Sequence, residues 1–250
     1  MEKQFNRQYR VRYYESDFRG SLRPVTMLDY LQDAASGDSV RTGSSVMDLR
    51  ERNMTWVLSR YHVKFLGYPG LGETLNVRTW RSGIDGLFAL REFQVTGETG
   101  NLLALATSSW AIVKMDTKRP VRIENVFPDL SIVEQRALDD NFKTLSKPDK
   151  CDIEKSFPVR IADLDVNRHV NNTVYAGWAL ETVPDDILLN YGLAEIEISF
   201  RAEAFYGDTV TVRTGGSDKG ITGTFLHQLV NEEDGRELTR LKTSWERVDK

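Results

Sequence analysis

The chain contains two copies of one pattern, and that duplication limits its possible folds more than any other feature. An offset of 135 residues places Trp110 over Trp245. Around that pair, "GETLNVRTW" (72–80) lies over "GDTVTVRTG" (207–215), and "SSWAIV" (108–113) over "TSWERV" (243–248). Between them Val95, Gly100 and Leu103 meet Val230, Gly235 and Leu238 without a gap. Upstream the offset becomes 148, so that Asp17 faces Asp165 and "PVTMLDYLQDAA" (24–35) faces "NTVYAGWALETV" (172–183). The extra 13 residues ask for an additional turn and helix in the first copy, within 42–54. A matched series of strands and turns, unlike one matched residue, marks two copies of a single fold, each of roughly 120 residues and of ordinary domain size.

Each copy reads as a strand, one main helix and then several strands. Pro24 suits a first helical turn, where its missing N–H would lack a partner anyway. Met27, Leu28, Leu31, Ala34 and Ala35 follow a 3.6 period, as do Val170, Val174, Tyr175 and Trp178, with Ala176, Gly177 and Ala179 offering small surfaces. "AEIEISFRAEA" (194–204) alternates, with Ile196, Ile198, Phe200 and Ala202 on one face. Hairpins are expected at Glu98-Thr99-Gly100 and Glu233-Asp234-Gly235, each ending in a glycine free to take positive φ. An apolar helix held against an antiparallel sheet is an α+β architecture. The stretch 116–157 breaks the pattern with charge and with Pro120, Pro128 and Pro148, and reads as the connection, with a short helix expected around 131–138. The resulting division is 1–128, a linker at 129–155, and 156–250.

Composition excludes several classes of function. A net charge of −4 gives no general attraction to nucleic acid. No run approaches the roughly 20 apolar residues of a membrane span, and "MEKQFNRQYR" has no apolar leader segment. The single Cys151 forms no internal disulfide, which fits a reducing compartment, and the cytoplasm is the expected location. His62, His169 and His227 are far apart and lack zinc-like spacing with cysteine. There is no GxGxxG and no P-loop, so neither a metal nor a nucleotide cofactor is expected.

Chemistry concentrates in "DLDVNRHVNNTVYAGWALE" (163–181). Asp165, Asn167 and His169 alternate just before a helix; in an extended stretch they project to one side, and Val166, Arg168 and Val170 to the other. The helix start offers unpaired N–H groups and a partial positive end. Val170, Asn171 and Asn172 are therefore candidate oxyanion donors, although Asn171 and Asn172 also read as helix caps. Asp163 reads as structural. Taken alone, His169 is more often a structural histidine than a reacting one, and Trp110 and Trp245 read as packing residues.

Together with "VLSRYHVKFLGYPGLGETLNVRTW" in the first half, "FRAEAFYGDTV" in the second and the repeated "VRTW"/"VRTG", this segment closely resembles the acyl-acyl carrier protein thioesterases of plant plastids and bacteria. The resemblance covers nearly the whole chain, and its specific core is D-x-N-x-H-V-N-N. It implies tandem hot-dog repeats, each sheet wrapped around a central helix and the two packed as a pseudo-dimer. The implied activity is hydrolysis of the thioester joining a fatty acyl chain to the phosphopantetheine arm of acyl carrier protein, which terminates fatty acid elongation. Homodimerisation stays open.

By the same resemblance the catalytic roles fall to Asp165, Asn167, His169 and, in "FRAEAFYGD", Glu203. His169 and Glu203 handle the proton and water, Asn167 orients the water or the thioester, and Asp165 either orients His169 or attacks directly. Strand parity sets Glu203 on the face of Glu197, Ser199 and Arg201, so it must face a cleft between the copies or sit at a bulge. Plant members carry a cysteine directly after that glutamate; here Ala204 stands there, which closes a cysteine mechanism, and Cys151 reads as an ordinary thiol. The transit peptide of plant members is not seen, which favours a bacterial cytosolic protein.

Opposite the four site residues stand Asp17, Arg19, Ser21 and Tyr68, so one site per chain is expected. The first copy's helix (24–35) and strand (56–65) are expected to line the acyl pocket. Arg160, Arg168, Lys143, Lys147 and Lys150 are candidates for steering an acidic carrier. The rival readings are a hot-dog 3-hydroxyacyl-thioester dehydratase and a non-catalytic acyl-thioester sensor.

Overall fold

Alternating apolar residues form the strands, and the turn glycines end them, in both halves of the computed structural model, which describes residues 3–216 and 223–247. In the first half β1 (Phe5–Arg10), helix α1 (Pro24–Arg41), short α2 (Val46–Arg50), β2 (Met54–Phe65), β3 (Thr74–Asp85), β4 (Phe88–Gly97), β5 (Leu102–Lys114), β6 (Pro120–Val121) and α3 (Ile123–Val126) follow in order. The second half runs β7 (Ile153–Pro158), α4 (Asn172–Leu180), α5 (Asp185–Asn190), β8 (Tyr191–Phe200), β9 (Thr209–Gly216), β10 (Thr224–Asn231) and β11 (Glu237–Arg247). The chain divides into two compact units, Met1–Asn141 and Phe142–Lys250.

Strands β1-β3-β4-β5-β2 form an antiparallel sheet in the first unit, and β7-β9-β10-β11-β8 form one of the same order in the second. Helix α1 buries Met27, Leu28, Leu31, Ala34 and Ala35, and runs on past the expected 24–35 to Arg41. Helix α4 buries Tyr175, Ala176, Trp178 and Ala179. The extra helix required by the changed offset is α2, opened by a reciprocal cap in which Ser45 and Asp48 each accept the other's N–H. Gly100 and Gly235 take φ of 81° and 70° at the two hairpins, a region open to glycine at little steric cost.

Two expectations are corrected. No helix forms at 131–138. That stretch lies along the first unit, where Val133 N–H donates to Arg81 O (2.9 Å), Trp80 Nε1 to Gln135 O (2.7 Å) and Ala137 N–H to Glu92 Oε2 (2.9 Å). Glu92 is fully buried, and Arg136 Nε reaches its other oxygen at 2.8 Å. A helix would turn these backbone groups inward on themselves and take the Ala137 N–H away from a buried carboxylate. From Phe142 onward the connection belongs to the second unit, with Arg240 Nη1 donating to Leu145 O.

The gapless register is the second correction. Gly97 N–H closes its hairpin on Asn101 O, whereas Asn231 N–H closes on Arg236 O, one residue farther. Phe93 therefore pairs with Ala106 while His227 pairs with Leu241, so His227, and not Gln228, is the counterpart of Phe93. Likewise Val95 matches Leu229 instead of Val230.

Both units have polar groups in their interiors. In the first, Asp38 on the last turns of α1 receives Arg41 at 2.7 Å, Arg91 at 3.0 Å and Arg81 at 3.3 Å. Burial opposes the Asp38 charge, but Arg91 and Arg81 outweigh it and hold the carboxyl below its usual range. Burial also pushes Arg81 down to about 9. In the second, fully buried His227 sits between Thr214 Oγ1 (2.7 Å from Nδ1) and Thr243 Oγ1 (2.9 Å from Nε2). Burial depresses its imidazole, which stays neutral. No described helix is long and apolar enough to cross a membrane.

Removing Asp38 strands two buried guanidinium groups, so Asp38→Ala is expected to lower the unfolding free energy by about 3–5 kcal/mol in urea titrations. His227 makes stability pH-dependent. The unfolded imidazole protonates near 6.5 and the folded one only at about 3, so stability is full above 6.5 and falls as pH drops through that interval. The urea midpoint is expected to decline across this range, and less steeply in His227→Phe.

Candidate active site

Asp165, Asn167 and His169 do not lie on a strand. The segment is a closed turn: Asp165 N–H donates to His169 O (2.7 Å), Arg168 N–H to Asp165 O (3.0 Å), and Leu164 bridges Val170. Arg168 takes φ of 64° to complete it. The carboxylate of Asp165 holds the turn from inside. Its Oδ1 accepts the N–H of Asn167 (2.7 Å) and of His169 (3.1 Å), and its Oδ2 accepts Asn167 Nδ2 (3.1 Å). Short acidic side chains favour such turns because they replace missing backbone partners. Proximity thus comes from the turn, where the sequence suggested alternation.

The first unit has the same construction without the chemistry. Asp17 Oδ1 accepts the N–H of Arg19 (2.9 Å) and of Ser21 (3.0 Å), and Asp17 N–H donates to Ser21 O.

Glu203 reaches the turn through a bulge. Strand β8 ends at Phe200, and Leu238 O then accepts two successive N–H groups, from Arg201 (2.8 Å) and Ala202 (3.1 Å). Two residues facing one reverse the side-chain alternation beyond that point. Leu103 O does the same for Leu66 and Gly67 in the first unit. Past the bulge, Glu203 Oε1 stands 3.1 Å from His169 Nδ1. Both side chains are partly open to solvent, at 35% and 21%. His169 also bridges Phe205 and meets its ring edge-on, with centroids 5.1 Å apart. One turn and one bulge therefore bring Asp165, Asn167, His169 and Glu203 together.

The oxyanion expectation is corrected in part. Val170 N–H donates to Ala204 O (3.0 Å) and Asn171 N–H to Asp163 O (2.8 Å), so both are committed to the fold. Asn171 caps α4, its side chain accepting Thr173 N–H, and Asn172 is the first helical residue. Of the three, the Asn172 N–H stays a candidate donor. Asp163 is structural: it is buried and bonded to Arg160 N–H and Nη2. Burial opposes its charge, but the Arg160 bonds keep the carboxyl below the usual range. Among the proposed steering residues, Arg160 is thus engaged, Lys150 stands 3.3 Å from Asp152, and Arg168, Lys143 and Lys147 are exposed.

The 3.6 period places Tyr175 in an apolar helical stripe and gives no sign of a polar task. Its hydroxyl accepts Ala204 N–H at 2.9 Å, and burial raises its pKa well above the usual phenol value. Among the described residues no group of three or more His, Cys, Asp or Glu is placed to hold a metal ion.

The family model for the acyl-ACP thioesterase N-terminal domain matches residues 2–130, and that for the acyl-ACP thioesterase C-terminal domain matches 146–247. The chain belongs to the acyl-ACP thioesterase family. A similar relative is the chloroplastic dodecanoyl-[acyl-carrier-protein] hydrolase of Cinnamomum camphora, 30% identical over 96% of this chain and 67% of its own length. Oleoyl-acyl carrier protein thioesterase 1 of Arabidopsis thaliana is 28% identical over 96% and 75%. Among solved structures, the 12:0-ACP thioesterase from Umbellularia californica superposes with a TM-score of 0.90 at 26% identity, over 99% of both chains. An acyl-ACP thioesterase from Bacteroides thetaiotaomicron shares the fold, with a TM-score of 0.86 at 23% identity over 98% of both chains. Each unit of this family member is a hot-dog repeat, its sheet packed on one main helix.

The duplicated turn gives an internal control. Asp17→Ala and Asp165→Ala are each expected to cost roughly 1–2 kcal/mol of stability, because each leaves two turn N–H groups without their carboxylate. Thioester turnover, measured alongside unfolding, is expected to survive the first substitution and to be lost with the second.

Proposed function

We propose that this protein hydrolyses the thioester of fatty acyl-acyl carrier protein to free fatty acid and holo-carrier protein, ending chain elongation. The observation that carries the reading is the 3.1 Å contact between His169 Nδ1 and Glu203 Oε1 beside the Asp165 turn, at positions where the first unit has Ser21 and Tyr68.

With Nδ1–H donated to the Glu203 carboxylate, His169 Nε2 is left as an acceptor for a water proton. The activated water adds to the thioester carbonyl, the C–S bond breaks, and the imidazolium returns its proton to the departing thiolate. Glu203 stabilises the transient imidazolium. Asn167, whose Nδ2 is held by Asp165, is oriented to fix the water or the carbonyl oxygen. We assign Asp165 the orienting role over direct attack, because both its oxygens already accept bonds from the turn. The Asn172 N–H at the start of α4 is the proposed backbone donor to the developing oxyanion. The partner is acyl carrier protein, and the proposed site of action is the cytoplasm, where an exposed lone thiol such as Cys151 stays reduced.

The test is release of free thiol from acyl-carrier-protein substrates of graded chain length, with coenzyme A esters in parallel. Wild type is expected to release thiol from the carrier substrates. His169→Ala and Glu203→Ala are expected to lose about 10²- to 10⁴-fold in turnover with unchanged circular dichroism. Loss of water from a 3-hydroxyacyl substrate with its thioester intact would identify a dehydratase instead.

A further inference from the structure

We infer that Tyr175 is a positioning residue of the reaction centre: its hydroxyl grips the backbone after Glu203 and holds that carboxylate against His169. The inference rests on the hydrolase reading and adds a residue to it.

The segment carrying Glu203 has left the sheet, because β8 ends at Phe200, so the ladder no longer fixes its backbone. Ala204 is fully buried and is held on two sides. Its carbonyl receives Val170 N–H at 3.0 Å, from the residue directly after His169. Its N–H goes to Tyr175 Oη at 2.9 Å, from the second turn of α4. The phenol ring is itself fixed by edge contacts with Trp178 and Phe200, at centroid distances of 5.7 and 6.1 Å. Glu203 and His169 are thus tied to one helix, one through Tyr175 and the other through the turn that leads into α4.

The first unit shows what this hydroxyl replaces. There the counterpart of Ala204 is Pro69, which has no N–H to satisfy, and the counterpart of Tyr175 is Met27, which offers no oxygen. The other bond is kept: Leu22 N–H donates to Pro69 O at 2.9 Å. The donor and its acceptor are therefore both present in the unit with Glu203 and both absent in the unit with Tyr68. A proline fixes its own backbone but restricts the residue before it. A side-chain hydroxyl fixes the same point and leaves the residue at 203 free to turn toward the imidazole. Misplacing a reacting group by about 1 Å can cost on the order of 10²-fold in rate, so such a tether has leverage over the reaction.

The test compares wild type, Tyr175→Phe and Tyr175→Phe/Ala204→Pro. Two readouts need no activity: hydrogen exchange at the Ala204 amide and the NMR ring resonances of His169. In Tyr175→Phe the amide is expected to exchange faster, the His169 ring signals to move, and kcat on acyl-carrier-protein substrate to fall about 10- to 100-fold with little change in KM. The double variant copies the first unit's arrangement and leaves no orphaned N–H. It is expected to regain thermal stability, including where the single variant folds poorly, while kcat stays low. Recovery of both stability and kcat in the double variant would make the hydroxyl merely structural and overturn the inference. Unchanged His169 signals in Tyr175→Phe would overturn it as well. Absence of thiol release by wild type would refute the hydrolase reading alone, and the two NMR readouts would still decide whether Tyr175 positions the pair.

Discussion

The reaction centre depends on one carbonyl taking two hydrogen bonds. Leu238 O accepts both Arg201 N–H and Ala202 N–H, and that doubled acceptance reverses the facing of every side chain beyond it. Without it, Glu203 would stay on the face shared by Glu197 and Ser199, away from the imidazole. The opposite wall also departs from regular structure, since the Asp165 carboxylate closes the chain into a turn just ahead of α4. His169 and Glu203 meet because two irregularities, a carboxylate-closed turn and a bulge, bring them within 3.1 Å of each other.

Much of this plan could be read in the residues. The duplication, the main helices, the hairpin glycines and the extra helix α2 all follow from periodicity and offset, because those signals are local or repeated. The misses share a cause. Asp165, Asn167 and His169 alternate in the letters, yet a carboxylate that replaces backbone partners lets such a string turn back on itself. The one-residue difference between the Gly97 and Asn231 hairpins is hidden because both contain a correctly placed glycine. The 131–138 stretch has helical composition, but buried Glu92 claims its backbone and Arg136. Tyr175 fits a helical apolar stripe, and only the fold shows that its oxygen has a partner. The contrast of Tyr175 and Ala204 with Met27 and Pro69 was present in the aligned repeats, but it has no meaning until the two positions are known to touch.

The interiors diverge more than the backbones. Against the helix, the first unit keeps a carboxylate among three guanidinium groups, while the second keeps a neutral imidazole between two threonine hydroxyls. Ion clusters of this kind are costly to break and give little net stability beyond apolar packing. The neutral arrangement of His227 adds no charge to the core of the second unit.

The carboxylate-closed turn of the first unit has a consequence for building a second site in this chain. Asp17 already folds the loop there, with Arg19, Ser21 and Tyr68 at the positions that carry the amide, the imidazole and the carboxylate in the second unit. Supplying those three groups would complete the residue set without the proposed tether, because Met27 offers no oxygen and Pro69 no N–H through which the carboxylate could be aimed.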